Sequence, residues 1–131
     1  MAALDTNILV CFLVEDDATQ LAAARKLIIG CVNAGETLYV PVTVSLELEW
    51  VLRSSFGLRK EAVVDTLSQL LSSFELTFES EGALEVALTL YGQGGADYSD
   101  CLHVALAHVA GEQPMWTFDN AAAKLDGARL L

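Results

Sequence analysis

Apolar residues repeat along the chain at two different spacings, and these separate predicted helices from predicted strands. Over 19–32 they recur at intervals of three and four, as Leu21, Ala24 and Ile28 illustrate. This is the pattern of the buried face of an amphipathic helix. Similar segments predict further helices over 8–14, 44–53, 59–74, 81–91, 97–109 and 120–125.

Short apolar runs lie between these helical segments and predict strands, the first of them buried. They cover 2–4, 37–42, 76–78, 115–118 and 128–131. Strands and helices therefore mostly alternate, with an extra helix pair in the middle of the chain. That order favours an α/β fold, a three-layer α/β/α sandwich around a central, mostly parallel sheet. We expect a single domain over 1–131, since the length suits one domain and no linker interrupts it.

Composition narrows the classes of function that the chain can serve. The hydrophobic fraction of 53% excludes intrinsic disorder. Eighteen acidic and seven basic residues give a net charge of −11. This balance argues against a basic nucleic-acid clamp and against a polybasic membrane surface. It leaves open a nucleic-acid enzyme that recruits cations to its site.

Cysteine usage and hydropathy indicate the compartment. Cys11, Cys31 and Cys101 lie far apart in apolar surroundings. This spacing favours buried thiols in a reducing cytoplasm over a disulfide framework or a zinc site. An acidic residue already at position 5 does not fit a signal peptide, and no apolar run reaches 18 residues. We therefore expect a cytoplasmic protein without a membrane-spanning segment.

Four acidic residues occupy positions where an open parallel sheet binds its ligands. Asp5 and Asp119 follow predicted strands, while Glu47 and Asp100 lie near the starts of predicted helices. Ligands of such sheets bind beyond the carboxyl ends of the strands. The four carboxylates are therefore expected to meet at one edge of the sheet.

The negative charge of a carboxylate cluster must be compensated. Two carboxylates about 4 Å apart repel by roughly 1 kcal/mol in water and about 4 kcal/mol at an effective dielectric constant near 20. The cluster must therefore take up protons or bind cations. Oxygen ligands without a Cys/His set favour Mg²⁺ or Mn²⁺ over zinc. Such an ion suits the hydrolysis of phosphodiester bonds.

Four segments of the chain resemble the motifs of PIN-domain nucleases. They are LDTNIL (4–9), ELEWVL (47–52), ADYSDCLH (96–103) and TFD (117–119), the last followed by 120–125. The resemblance implies an endoribonuclease dependent on Mg²⁺ or Mn²⁺, with Asp5, Glu47, Asp100 and Asp119 as its catalytic and metal-binding acids. Length and mid-chain helices are similar to the VapC toxins of bacterial type II toxin–antitoxin pairs. This likeness implies an RNA substrate, a homodimer and inhibition by a cognate antitoxin protein, and a basic antitoxin segment would complement the acidic chain.

Several residues beside these acids have two interpretations. Asp5 and Asp97 could be metal ligands or helix N-caps, and Asp119 could belong to the site or be an ordinary strand-to-helix cap. Thr6 and Asn7 could orient Asp5 or stabilise a local turn. Ser99 could add a hydroxyl to the site or favour the helix start. Thr117 is a supporting residue of the last motif.

Other polar and aromatic residues are expected outside the site. Glu49 and Glu47 point about 200° apart on a helix, so we expect Glu49 to face solvent or a partner. His103 is expected to be packed or hydrogen-bonded. Aromatic residues are expected in the core or an interface, with only Tyr98 able to reach substrate; they are Trp50, Tyr98 and Trp116.

The basic residues Arg53, Arg59 and Lys60 follow the Glu47 helix and could touch RNA phosphate. The alternative is a solvated helix end. Two other functions also remain open. One is a non-catalytic PIN-like module that binds RNA or a partner protein. The other is a haloacid-dehalogenase-like phosphatase, which needs an aspartate two residues after Asp5, where this chain has Asn7.

Overall fold

The computed structural model describes residues 2–131. Its helices are α1 (Thr6–Val14), α2 (Ala18–Asn33), α3 (Val42–Ser54), α4 (Lys60–Leu71), α5 (Glu81–Gln93) and α6 (Tyr98–Ala110). Its strands are β1 (Ala2–Ala3), β2 (Leu38–Val40), β3 (Leu76–Phe78), β4 (Met115–Thr117) and β5 (Ala128–Leu130), and a 3₁₀ helix spans Ala122–Lys124. The predicted alternation is confirmed, with most boundaries shifted by only a few residues.

Every strand pair in the described part of the chain is parallel. β2 lies between β1 and β3, and β4 pairs with β5. Within residues 2–131 the hydrogen-bonded strands thus form a three-stranded and a two-stranded sheet, where one sheet was expected. The predicted α/β architecture, with parallel strands flanked by helices, is confirmed. Since parallel strands end at the same edge, the residues that follow β1 and β2 share one edge.

The hydrophobic core lies between the strands and the helices that pack on them. Leu38 and Val40 of β2 are 0% exposed, as is Leu48 of α3. Burial of each such side chain contributes about 1.5–3 kcal/mol. Leu84 of α5 and Leu102 of α6 belong to the same core. Residues of β2, α3, α5 and α6 therefore share one hydrophobic core.

The start of α3 is fixed by the side chain of a residue that follows β3. Pro41 occupies the N-cap position and has no N–H to donate. The N–H of Val42 donates to Oε1 of Glu79, which directly follows β3, at 2.8 Å. A carboxylate at a helix N-terminus is stabilised by the helix dipole. Glu79 therefore anchors the helix that carries Glu47.

The cysteines agree with the expectation of free thiols. Cys11 and Cys101 are buried, Cys31 is half-buried, and all three are unpaired within residues 2–131. Burial raises the pKa of Cys101 to about 11, so this thiol stays protonated. Among the described residues, no helix is both long and apolar enough to cross a membrane.

Two of the aromatic residues expected in a core or an interface lie outside the core. Trp50 is 56% exposed and Trp116 is 57% exposed. Trp50 stands on the outer face of α3, and Trp116 lies in β4. The core alternative is therefore wrong for both, whereas Tyr98 is buried at 1% exposure.

Candidate functional site

The first and second acidic motifs meet through a threonine. Thr6 is 2% exposed, and its hydroxyl donates a hydrogen bond to Oε1 of Glu47. The N–H of Thr6 donates to Oδ1 of Asp5 at 2.7 Å, and Asp5 is the N-cap of α1. Thr6 therefore contacts both acids, and its hydroxyl orients Glu47. Asn7 is exposed at the start of α1.

The third and fourth motifs also come together. Burial raises the pKa of Asp100, and the charges of Asp119 and, more weakly, Asp97 act in the same direction. The charge of His103 opposes this rise. Asp100 therefore lies in a negative local potential that a proton or a cation would relieve.

Asp119 is held by the backbone of the turn that follows β4. Its Oδ1 accepts hydrogen bonds from the N–H groups of Ala121 and Ala122, at 2.8 and 3.0 Å. Its own N–H donates to Oγ1 of Thr117 at 3.0 Å. Both bonds to the carboxylate use Oδ1, so Asp119 caps this turn through that oxygen. Thr117 thus supports the last motif.

Asp97 stands at the N-cap position of α6, as the capping alternative predicts. Within residues 2–131 its carboxylate makes no hydrogen bond to the first turn of that helix. Asp97 is exposed and Ser99 is partly buried. The charge of Asp97 contributes weakly to raising the pKa values of Arg53 and Tyr91.

The donor chemistry fits a hard cation, although the side chains do not form a closed cage. In the part of the chain that the structure describes, no three Asp, Glu, His or Cys side chains converge as a preformed metal site. The acids form two groups, one around Thr6 and one around Asp100. Both groups offer carboxylate oxygens, the ligands that Mg²⁺ and Mn²⁺ prefer.

Glu49 does not face solvent, so that expectation is wrong. It is 4% exposed, and its Oε2 accepts from Nε of Arg53 at 2.9 Å and from the hydroxyl of Tyr91 at 3.0 Å. A buried carboxylate is tolerated when it is paired and hydrogen-bonded. The spacing of four residues between Glu49 and Arg53 is a signal in the sequence that could have suggested this pair.

Tyr98 lies too deep to reach a substrate. Its hydroxyl is hydrogen-bonded to that of Ser45 at 2.9 Å, which links α6 to α3. Its ring packs against Tyr91, with 5.4 Å between ring centres. Burial raises the pKa of both tyrosines to about 12. The sequence analysis missed Ser45 and Tyr91, because only packing shows where they point.

The predicted basic group is divided between internal contacts and solvent. Arg53 is bound to Glu49. Nζ of Lys60 donates to the carbonyl of Gly94 at 2.8 Å. Arg59 is exposed at the N-cap of α4. His103 is exposed on α6 rather than packed, because its position on the helix faces away from the core.

Asp100→Asn is expected to stabilise the protein in the presence of a chelator at pH 7. Since the folded-state pKa of Asp100 is raised above its ordinary value of 3.8, ionisation reduces stability as the pH rises through that range. Removing the charge should raise the midpoint of thermal unfolding by about 2–4 °C. The gain should disappear below about pH 3, where the carboxyl group is mostly protonated in both states.

Thermal unfolding followed by circular dichroism at about pH 2.5 and at pH 7 measures this difference. Asp16→Asn, at an exposed loop position, is the control and should shift the midpoint by less than about 1 °C. A destabilised Asp100→Asn protein at pH 7 would contradict the negative potential inferred at this position.

Comparisons with known proteins agree with the motif resemblance. The family model of the PIN domain matches residues 2–128. The chain is also similar to a VapC ribonuclease of Aquifex aeolicus (strain VF5), with 24% identity over 125 residues. This alignment covers 95% of the chain and 92% of the relative. The family match spans nearly the whole chain, and the chain therefore belongs to the PIN domain family.

Proposed function

We propose that this protein is a metal-dependent endoribonuclease and the toxin of a type II toxin–antitoxin pair. The observation that carries the proposal is the pairing of acidic motifs distant in the chain. Thr6 joins the motif of Asp5 to Glu47, and Asp100 lies within the field of Asp119. Membership of the PIN family and the similarity to a VapC ribonuclease support the same function. They also weigh against a haloacid-dehalogenase-like phosphatase.

In this proposal Asp5, Glu47, Asp100 and Asp119 hold Mg²⁺ or Mn²⁺. When bound, such a cation supplies positive charge that neutralises the reacting phosphate and makes a water molecule easier to deprotonate. The hydroxyl of Thr6 orients the Glu47 carboxylate through its hydrogen bond to Oε1. The backbone amides after β4 hold Asp119. In this proposal the carboxylates of Glu47 and Asp119 can therefore bind the cation without movement of α3 or β4.

Charge explains why an acidic chain can act on RNA. The net charge of −11 repels phosphate, so the substrate needs a cationic bridge at the site. The negative charges of Asp119 and Asp97, which act on Asp100, would favour a divalent cation at this place. Arg59, exposed at the start of α4, is the member of the basic group best placed to contact RNA phosphate.

Partners follow from the same charge balance. We propose that a cognate antitoxin contributes a basic segment that complements the acidic surface.

We also propose a homodimer in the cytoplasm. Exposed apolar residues, among them Trp116 and Phe118 at 57% and 78% exposure, provide surface that an interface would cover.

Cleavage of a mixed RNA pool tests the proposed function directly. With the purified protein, we expect discrete RNA fragments in Mn²⁺ or Mg²⁺, none in excess chelator, and recovery when Mn²⁺ is added back. Cleavage that persists undiminished in chelator would refute metal dependence. Tight binding of RNA or of a partner without cleavage in either metal would favour a non-catalytic module.

A further inference from the structure

We infer that Lys60 is a positioning residue whose ammonium group fixes the connection between α5 and α6, and through it the acidic motif of Asp97 and Asp100. From the sequence, Lys60 is one of three basic residues that could contact RNA phosphate. Its catalytic consequence rests on the proposed function, whereas its effect on the connection can be measured without any cleavage.

Lys60 binds the connection at its first residue. Nζ donates to the carbonyl of Gly94 at 2.8 Å, and Gly94 is the C-cap of α5. The last carbonyl groups of a helix have no partner within it and carry partial negative charge. A cation at this point therefore stabilises both the helix end and the direction in which the chain leaves it.

The same ammonium group stands on an aromatic platform. Nζ lies 4.9 Å from the centre of the Tyr91 ring, a cation–π distance. Tyr91 is 4% exposed, and its hydroxyl donates to the buried Glu49 at 3.0 Å. Glu49 is on α3, two residues from Glu47. Lys60 is thereby tied, through Tyr91, to the helix that carries the second acidic motif.

The connection needs such a tether because of its composition. Gly94 and Gly95 lack a Cβ atom and have wide backbone freedom, and both are exposed. Ala96 is buried again at 3% exposure, and α6 begins at Tyr98, after its N-cap Asp97. Gly94 lies three residues before Asp97 and six before Asp100, so a contact that fixes its carbonyl limits the range of paths by which the chain enters α6.

Hydrogen exchange tests this inference without RNA. Lys60→Met keeps the apolar part of the side chain and removes the charge, whereas Lys60→Arg keeps a cationic donor that can stack on Tyr91. Lys26→Met is the control, because it changes the net charge by the same amount on the exposed face of α2. We expect amide exchange over 94–101 to be about 10-fold faster in Lys60→Met, and near the parent rate in Lys60→Arg and Lys26→Met. Unchanged exchange over 94–101 in Lys60→Met would overturn the inference.

Kinetics and salt dependence separate positioning from phosphate contact. We expect Lys60→Met to lower kcat about 10-fold with KM within about 2-fold of the parent, and Lys60→Arg to recover most of the loss. RNA binding is measured in the Asp5→Asn background, where the salt slope of Lys60→Met should equal that of Lys26→Met. A slope shallower by about 0.7 than that control would make Lys60 a phosphate contact and refute the inference. If the parent protein cleaves no RNA, the proposed function fails, while hydrogen exchange still decides the role of Lys60.

Discussion

Asp5→Asn is expected to reduce RNA cleavage by about 10³-fold, because loss of a ligand charge removes several kcal/mol of transition-state stabilisation. The fold should survive the change. Asparagine is as good an N-cap as aspartate, so α1 keeps the contact that Oδ1 makes with the N–H of Thr6 at 2.7 Å. We therefore expect the midpoint of thermal unfolding to move by less than about 2 °C.

Initial rates on a defined RNA in Mn²⁺, with unfolding curves of the same preparations, measure both quantities. Asp16→Asn removes one negative charge at an exposed loop position and should retain full activity. Manganese titration by calorimetry gives a second readout, with weaker binding expected in Asp5→Asn. An Asp5→Asn protein that cleaves RNA at the parent rate would refute the assigned role of Asp5.

Glu49→Ala is expected to lower the free energy of unfolding by about 3 kcal/mol, whereas Glu47→Ala should lower it by about 1 kcal/mol or less. Glu49 is buried, and its loss leaves the Tyr91 hydroxyl and Arg53 without their acceptor. Arg53 is partly hydrated, with its side chain 49% exposed, which keeps the cost at the lower end for a broken buried pair. Glu47 is exposed, so water can replace its carboxylate at the Thr6 hydroxyl.

Urea unfolding and RNA cleavage of the two variants should therefore rank them in opposite orders. Glu47→Ala should remain folded and lose cleavage, while Glu49→Ala should be damaged mainly in stability. Glu49→Gln keeps an acceptor for Tyr91 and should recover part of the lost free energy. Equal stability of Glu49→Ala and the parent would contradict the buried pair.

The order of elements could be predicted from local patterns, because each pattern is a direct consequence of backbone geometry. Apolar positions spaced by three and four residues identified α2, where one face of the helix meets the protein. The short run before Asp5 identified β1, although Ala2 and Ala3 are exposed rather than buried. The helix predicted from residue 8 begins at Thr6, with Asp5 as its N-cap. These signals need only neighbours in the sequence, so they hold before the chain is packed.

Side-chain environments could be predicted much less well, because they depend on elements distant in the chain. The helical angle between Glu47 and Glu49 correctly separated the two acids, but the face assigned to Glu49 was wrong. Tyr91 on α5 and Arg53 on α3 together make a buried carboxylate acceptable there. Lys60 likewise resembles a solvated or RNA-binding residue in the sequence. Only the tertiary structure shows that it binds the carbonyl of Gly94 at the end of α5.

The amino-acid pattern alone was sufficient for the alternation of helices and strands, the four acidic motifs and the family resemblance, since all of these reside in local spacing and residue type. Packing in three dimensions decided which carboxylates meet, which one is paired with an arginine inside the protein, and which basic groups remain exposed to solvent. The physical reason is that burial and electrostatic interactions act through space, between groups that can be tens of residues apart along the chain.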